Sequence, residues 1–125
     1  MSLTKAYQAV QASASNAAAG TTTSGYQAIG YGTTLVCMVT NGATGPTIAC
    51  SVYVDFATDG SGTNLIQTAI TLGTAGVANN GIYRFTIGLG IGNEGDAPYY
   101  RVRFTGNTAQ AVTVQADAWS TTALT

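Results

Sequence analysis

Histidine is absent from this chain of 125 residues, and charge of either sign is scarce: four Lys+Arg and five Asp+Glu give a formal net charge of −1. Losing the imidazole removes the side chain most used for proton transfer near neutral pH. Lys5, close to the N-terminus, is the only lysine, so the many Ser and Thr hydroxyls have no evident base to activate them, and no G-x-S-x-G elbow occurs. An enzyme is not expected. The charged fraction of 7% compares with about 25% in an average soluble domain. Clustered Lys and Arg, the footprint of phosphate binding, cannot be assembled from Lys5, Arg84, Arg101 and Arg103, so a nucleic-acid partner is not expected either. The two cysteines form no C-x-x-C and have no histidine beside them, which removes the usual zinc patterns. No apolar run approaches the roughly 20 residues of a membrane helix. No basic segment followed by an apolar one opens the chain, so no membrane partner and cytoplasmic synthesis are the expectations.

In place of charge the chain carries Thr, Ser, Asn, Gln and Gly, with an apolar fraction of 46%. A surface of hydroxyls and amides with little net charge repels its own copies weakly and suits being covered by neighbours, so homo-oligomerisation is expected. The length fits a single domain over residues 1–125.

From residue 33 onward the apolar residues recur with period two, the signature of half-buried strands. Thr33 to Asn41 sets Leu35, Cys37 and Val39 on one face. Thr47 to Ala57 sets Ile48, Cys50, Val52, Val54 and Phe56 inward, with Ser51, Tyr53 and Asp55 opposite. Asn64 to Leu72 contributes Ile66, Ile70 and Leu72, and Gly81 to Leu89 contributes Tyr83, Phe85, Ile87 and Leu89. Tyr99 to Thr105 points Tyr100, Val102 and Phe104 inward and Arg101 and Arg103 outward. Ala111 to Ser120 points Val112, Val114, Ala116 and Ala118 inward and Thr113, Gln115, Asp117 and Trp119 outward.

Two turn clusters read as hairpin loops: Asn41 to Pro46, and Thr105-Gly106-Asn107-Thr108. The first would set Cys37 opposite Cys50 on the core face, where two reduced buried thiols are expected and a disulfide is geometrically conceivable. The second would bring Arg101 near Asp117 on an outer face. In residues 1–24 the Ser and Asn interruptions and the Thr21-Thr22-Thr23-Ser24-Gly25 run favour a strand at Lys5 to Ala12 followed by a turn, with a helix over Ala6 to Ala19 or an extended arm as the alternatives; a further strand is expected over Gly25 to Tyr31. The result is an all-β, antiparallel two-sheet β-sandwich of seven or eight strands, with jelly-roll and immunoglobulin-like connectivity both open.

Three loops carry motif-like groupings. Gly90-Ile91-Gly92-Asn93-Glu94-Gly95 matches G-x-G-x-x-G, yet Asp96-Ala97-Pro98 leads into a strand where a dinucleotide site requires a helix, so no cofactor is expected. Asp59 to Asn64 collects oxygen ligands without the acidic residues of a calcium loop, and Glu94 with Asp96 is equally thin; no metal is expected. Asp55 and Asp117 read as outward strand residues, with no apolar surroundings to raise one of them into a glycosidase acid. Tyr53, Tyr99 and Trp119, on outward faces, suit either a subunit interface or a sugar-stacking platform, and with Arg101 and Arg103 they form the candidate interface set.

The run Ala97-Pro98-Tyr99-Tyr100-Arg101-Val102-Arg103-Phe104-Thr105-Gly106-Asn107-Thr108-Ala109-Gln110-Ala111-Val112-Thr113-Val114, preceded by Asp55-Phe56-Ala57-Thr58-Asp59-Gly60, resembles small β-sandwich virion proteins of tailed bacteriophages, capsid decoration (cement) proteins among them. That resemblance implies a protein made in the bacterial cytoplasm that binds the outer surface of an assembled head in repeated copies. Its partners would be the major capsid protein and other copies of itself. The alternative is a tail-fibre or adhesin module that reads surface glycan through Tyr and Trp.

Overall fold

Among the described residues nine strands account for the regular structure: β1 (Leu3–Asn16), β2 (Thr21–Thr23), β3 (Gln27–Ala28), β4 (Thr33–Asn41), β5 (Ser51–Ala57), β6 (Leu65–Thr74), β7 (Ile82–Leu89), β8 (Tyr99–Thr105) and β9 (Val112–Leu124). The computed structural model describes residues 3–30, 32–63, 65–89 and 98–124, with side chains left out at 3–4, 65–69 and 121–124. The Gly90 to Gly95 motif, Glu94 with Asp96, Tyr31, and the side chain of Ile66 lie outside the described residues. Among the described residues there is no helix, and hence none long and apolar enough to cross a membrane.

The strand pairings are nested. β5 pairs with β6, outside them β4 with β7, then β8 with β2 and β3, and outermost β1 with β9, every pair antiparallel. The chain is therefore one long ribbon that doubles back between β5 and β6. Folding that ribbon over itself adds the pairings β4·β9 and β5·β8, which complete a sheet ordered β1-β9-β4-β7 and a sheet ordered β2-β8-β5-β6, with β3 also on β8. This is the jelly-roll connectivity, and it decides against the immunoglobulin-like one.

The period-two pattern explains the packing between the sheets. Leu35, Cys37 and Val39 of β4 and Val112, Val114, Ala116 and Ala118 of β9 are buried from one sheet. Val52, Val54 and Phe56 of β5 and Tyr100, Val102 and Phe104 of β8 are buried from the other. Tyr83, Phe85 and Ile87 of the edge strand β7 and Ile70 and Leu72 of β6 are partly buried against this core. Gly73 of β6 lets the Phe85 ring lie on its backbone, where a Cβ would overlap the ring.

Both expected hairpins are overturned by this topology. β4 and β5 lie in different sheets, as do β8 and β9, so the turn clusters after Asn41 and Thr105 carry the chain across the sandwich, whose sheets stack about 10 Å apart. Cys37 consequently pairs with Phe85 and Ala116, while Cys50 precedes β5; both are buried free thiols. Burial pushes the Cys37 thiol up to about 12 and the Cys50 thiol up to about 11. The strand expected from Thr47 begins only at Ser51, and Ile48 is 60% exposed. There the backbone is held instead by Thr108, whose Oγ1 and carbonyl accept from Ile48 N and Thr47 N.

In the first third, β1 runs on to Asn16 because pairing with β9 supplies its backbone partners, and neither a helix nor a loose arm forms over 3–16. Thr21 to Thr23, expected as part of a turn, is strand β2 on β8. The β1–β2 corner is fixed by buried amides. Asn16 Nδ2 donates to Asn107 Oδ1 at 2.6 Å, and Asn107 Nδ2 donates to the carbonyls of Asn16, Ala17 and Gln110 at 3.2, 3.3 and 2.9 Å. Asn107 thereby ties the β1–β2 corner to the β8–β9 crossover with groups that burial would otherwise leave unpaired.

Candidate binding surfaces

With the inner faces of both sheets consumed by the core, the expected interface set lies on the two outer faces and divides between them. Tyr53, Tyr99, Arg101 and Arg103 lie on the outer face of the five-stranded sheet, and Trp119 on that of the four-stranded sheet.

On the five-stranded sheet the register sets Asp55 beside Arg101 and Tyr53 beside Arg103. Arg101 Nε donates to Asp55 Oδ2 at 2.8 Å, and Arg103 donates from Nε to Oδ2 at 2.7 Å and from Nη2 to Oδ1 at 3.2 Å. Asp55 is only 1% exposed under the two guanidiniums. The expected partner of Arg101, Asp117, is on the other sheet; the contact is therefore replaced by Asp55. For the same reason Asp55 and Asp117 share no groove. The Asp55 hydrogen bond raises the Arg103 pKa above its usual value, with burial opposing it.

Two rings extend the cluster: the Arg101 guanidinium stands 5.0 Å from the Tyr26 ring centroid, and that of Arg103 5.3 Å from Tyr53. Burial raises the Tyr26 pKa, and Arg101 opposes the rise. Asp59 Oδ1 accepts from Ser61 N, Ser61 Oγ and Thr63 N at 3.0, 2.8 and 3.1 Å, an ordinary side-chain-closed turn. In this turn Gly62, at φ 74°, passes so close to Tyr26 that no Cβ would fit. Hydroxyl pairs continue the face outward, Ser51 with Thr74 at 3.0 Å and Thr21 with Thr105 at 2.8 Å.

On the four-stranded sheet, Tyr7 of β1 is the direct cross-strand neighbour of Trp119 of β9. The ring centroids are 5.6 Å apart and the planes tilted by 57°. Tyr7 is 59% and Trp119 38% exposed. Asp117, two residues before Trp119 on the same face, accepts from the Tyr7 hydroxyl at Oδ1 and from Gln115 Nε2 at Oδ2, the latter at 2.9 Å. The bond to Asp117 raises the Tyr7 pKa, because losing the phenolic proton would set two anions together.

The sequence pattern missed Tyr7 and Tyr26 as members of these faces. Tyr7 falls within the strand expected over Lys5 to Ala12, but its pairing with Trp119 depends on closing the ends of the ribbon together. Among the described residues no group of three or more His, Cys, Asp or Glu could hold a metal ion.

The class defined by this connectivity is the jelly-roll β-sandwich. Neither a family model nor a curated protein matches the chain in sequence. In structure it is similar to a chain of the T13 viral particle of infectious bursal disease virus, with a TM-score of 0.63 at 10% identity, over 95% of this chain and 31% of that one. It is also similar to the enzymatically active domain of bacteriophage CBA120 tailspike protein 4, with a TM-score of 0.53 at 8% identity, over 96% of this chain and 19% of that one. A carbohydrate-binding module of the β-sandwich superfamily matches with a TM-score of 0.51 at 14% identity, over 97% of this chain and 54% of that one. At these identities the likeness is one of fold, and the chain spans about a third of the length of the viral-particle chain.

Proposed function

We propose that the chain is a non-catalytic structural module of a virus particle, a decoration or cement protein that lies against the outer surface of a tailed-phage head and reinforces its lattice. The observation that carries this reading is the outer face of the five-stranded sheet. Its buried acid Asp55 is neutralised by two arginines, and among the described residues tyrosine rings and hydrogen-bonded hydroxyl pairs surround it. Such a face is ordered before it meets a partner, so little side-chain freedom remains to be lost on docking. Tyr53, Tyr99, Arg101 and Arg103 belong to the residue types enriched in protein interfaces, and aromatic and Arg anchors carry most of the energy of such contacts.

The partners on this reading are the major capsid protein and neighbouring copies of the chain. The shared fold with a viral-particle chain supports it, as does a formal charge of −1, which leaves weak repulsion between copies packed side by side. The test is quantitative mass spectrometry of purified particles together with a map locating the chain. Many copies on the head, reduced by Tyr53→Ala and Tyr99→Ala in a protein that still unfolds cooperatively, support the proposal. A few copies confined to the tail, or none on any particle, overturn it.

A further inference from the structure

The outer face of the four-stranded sheet carries a second grouping that particle attachment through the other sheet leaves unused. Tyr7 and Trp119 are large rings at direct cross-strand positions, both substantially exposed, with their planes tilted by 57°. Packing alone does not account for them, since the core under this sheet is closed by Ala116, Ala118 and Leu35 without their help. The Tyr7 ring is not free to fall over Trp119, because its hydroxyl is tied to Asp117 Oδ1. Asp117 is steadied in turn by Gln115 Nε2 at 2.9 Å. Along β9 the rise of about 3.3 Å per residue spaces Gln115, Asp117 and Trp119 at steps of about 7 Å on one face. The result is a strip with two tilted aromatic rings at one end and oriented acceptors beside them.

We infer that Tyr7, Trp119, Asp117 and Gln115 form a binding platform for a neutral pyranose saccharide. A pyranose has an apolar face of C–H groups that covers an aromatic ring and a rim of hydroxyls that needs hydrogen-bond partners. Amphipathic rings held beside polar groups satisfy both requirements at once. The Asp117 carboxylate accepts from sugar hydroxyls in addition to its two fixed donors, and the Gln115 amide leaves its Oε1 as a further acceptor. Asp117, directly beside the rings, disfavours an acidic sugar group against it through like charge, while Lys5 and Arg84 stand farther out on the same face.

The experiment uses the full chain in affinity electrophoresis through gels containing soluble β-glucan, xylan, mannan, galactan or, as the acidic member, alginate. Trp119 is the sole tryptophan, so its fluorescence reports stacking directly. Retardation by at least one neutral polysaccharide and not by alginate, a blue shift of the emission, and a loss of affinity of about tenfold or more in Trp119→Ala and in Tyr7→Ala support the platform. Tyr7→Phe, which keeps the ring and removes the bond to Asp117, should lose less. Equal unfolding curves for the variants separate a binding loss from a folding loss. Retardation by none of the neutral gels, retardation unchanged in both alanine variants, or loss of particle attachment in Trp119→Ala with saccharide affinity intact each overturns it, the last by assigning the face to a protein partner.

Discussion

Asp55 on β5 is gripped at both carboxylate oxygens by Arg103 on β8, Nε to Oδ2 at 2.7 Å and Nη2 to Oδ1 at 3.2 Å, while Arg101 shares Oδ2 at 2.8 Å. The carboxylate is the shielded member and the guanidiniums keep contact with water, with side-chain exposures of 30% and 26%. Removing the acid is therefore the more damaging change, because it leaves two like charges two residues apart on one face of a strand.

Asp55→Ala is expected to destabilise the fold by about 3 kcal/mol, the lower end of the range for breaking a buried pair given the partial exposure of the arginines. Arg101→Ala or Arg103→Ala alone should cost about 1 kcal/mol, since the other arginine still neutralises the acid. The double arginine variant should cost more than the sum of the two. Urea denaturation of the four proteins measures this coupling, and strict additivity would show that each arginine acts independently.

The two buried thiols predict a specific loss of stability in alkali. Their folded values, about 12 for Cys37 and about 11 for Cys50, stand above the ordinary 9.0. Above pH 9 the unfolded chain releases protons that the folded chain retains, so stability falls as pH rises toward 11. Each thiol contributes a slope of about 1.4 kcal/mol per pH unit once its unfolded form is ionised. Tyr100, also raised by burial, adds a similar loss from its ordinary 10.0 upward. Below pH 8 none of these groups should affect stability. Denaturation midpoints from pH 7 to 11 for the parent chain and for Cys37→Ala check this, the variant starting less stable and falling less steeply.

From residue 33 onward strand identity and phase were largely readable from residues, the stretch Thr47 to Cys50 apart, but strand partnership was not. The alternation Leu35-Cys37-Val39 or Tyr100-Val102-Phe104 names the buried face of a strand because side chains alternate with period two whatever lies beside it. Whether Asn41 to Pro46 closes a hairpin or crosses between sheets changes none of that local pattern, since a turn-rich loop serves both. The Asn16 to Asn107 hydrogen bond spans 91 residues of sequence and exists only because the ribbon folds over. Of the expected interface set, the outward direction of Arg101, Arg103 and Trp119 followed from phase. Their division between two faces, the role of Asp55 as the shared acid, and the pairing of Tyr7 with Trp119 all depend on pairings between distant strands. The extension of β1 past the expected Ala12 has the same origin: Ser13, Ser15 and Asn16 weaken a helix and do little for a strand, and pairing with β9 decides.

Phe85 and Phe104 separate an edge from a centre. Phe104 has no exposed surface, and Phe104→Ala is expected to cost about 3–5 kcal/mol, as for other large-to-small changes in a packed core. Phe85 belongs to edge strand β7, is half-buried, and rests on the backbone of Gly73 across the sandwich, so its replacement by Ala should cost less. Gly73→Ala sets a methyl group into the space of the Phe85 ring and should destabilise by about 1–3 kcal/mol through overpacking. In the double variant Gly73→Ala/Phe85→Ala the new methyl occupies part of the space the ring vacates. Its cost should therefore be smaller than the sum of the single costs by about 1 kcal/mol or more. Denaturant midpoints for the parent and the three variants measure the cycle. Additive costs would mean that Phe85 does not lie over Gly73, which would undo the sealing of the β6–β7 edge while leaving the central packing at Phe104 intact.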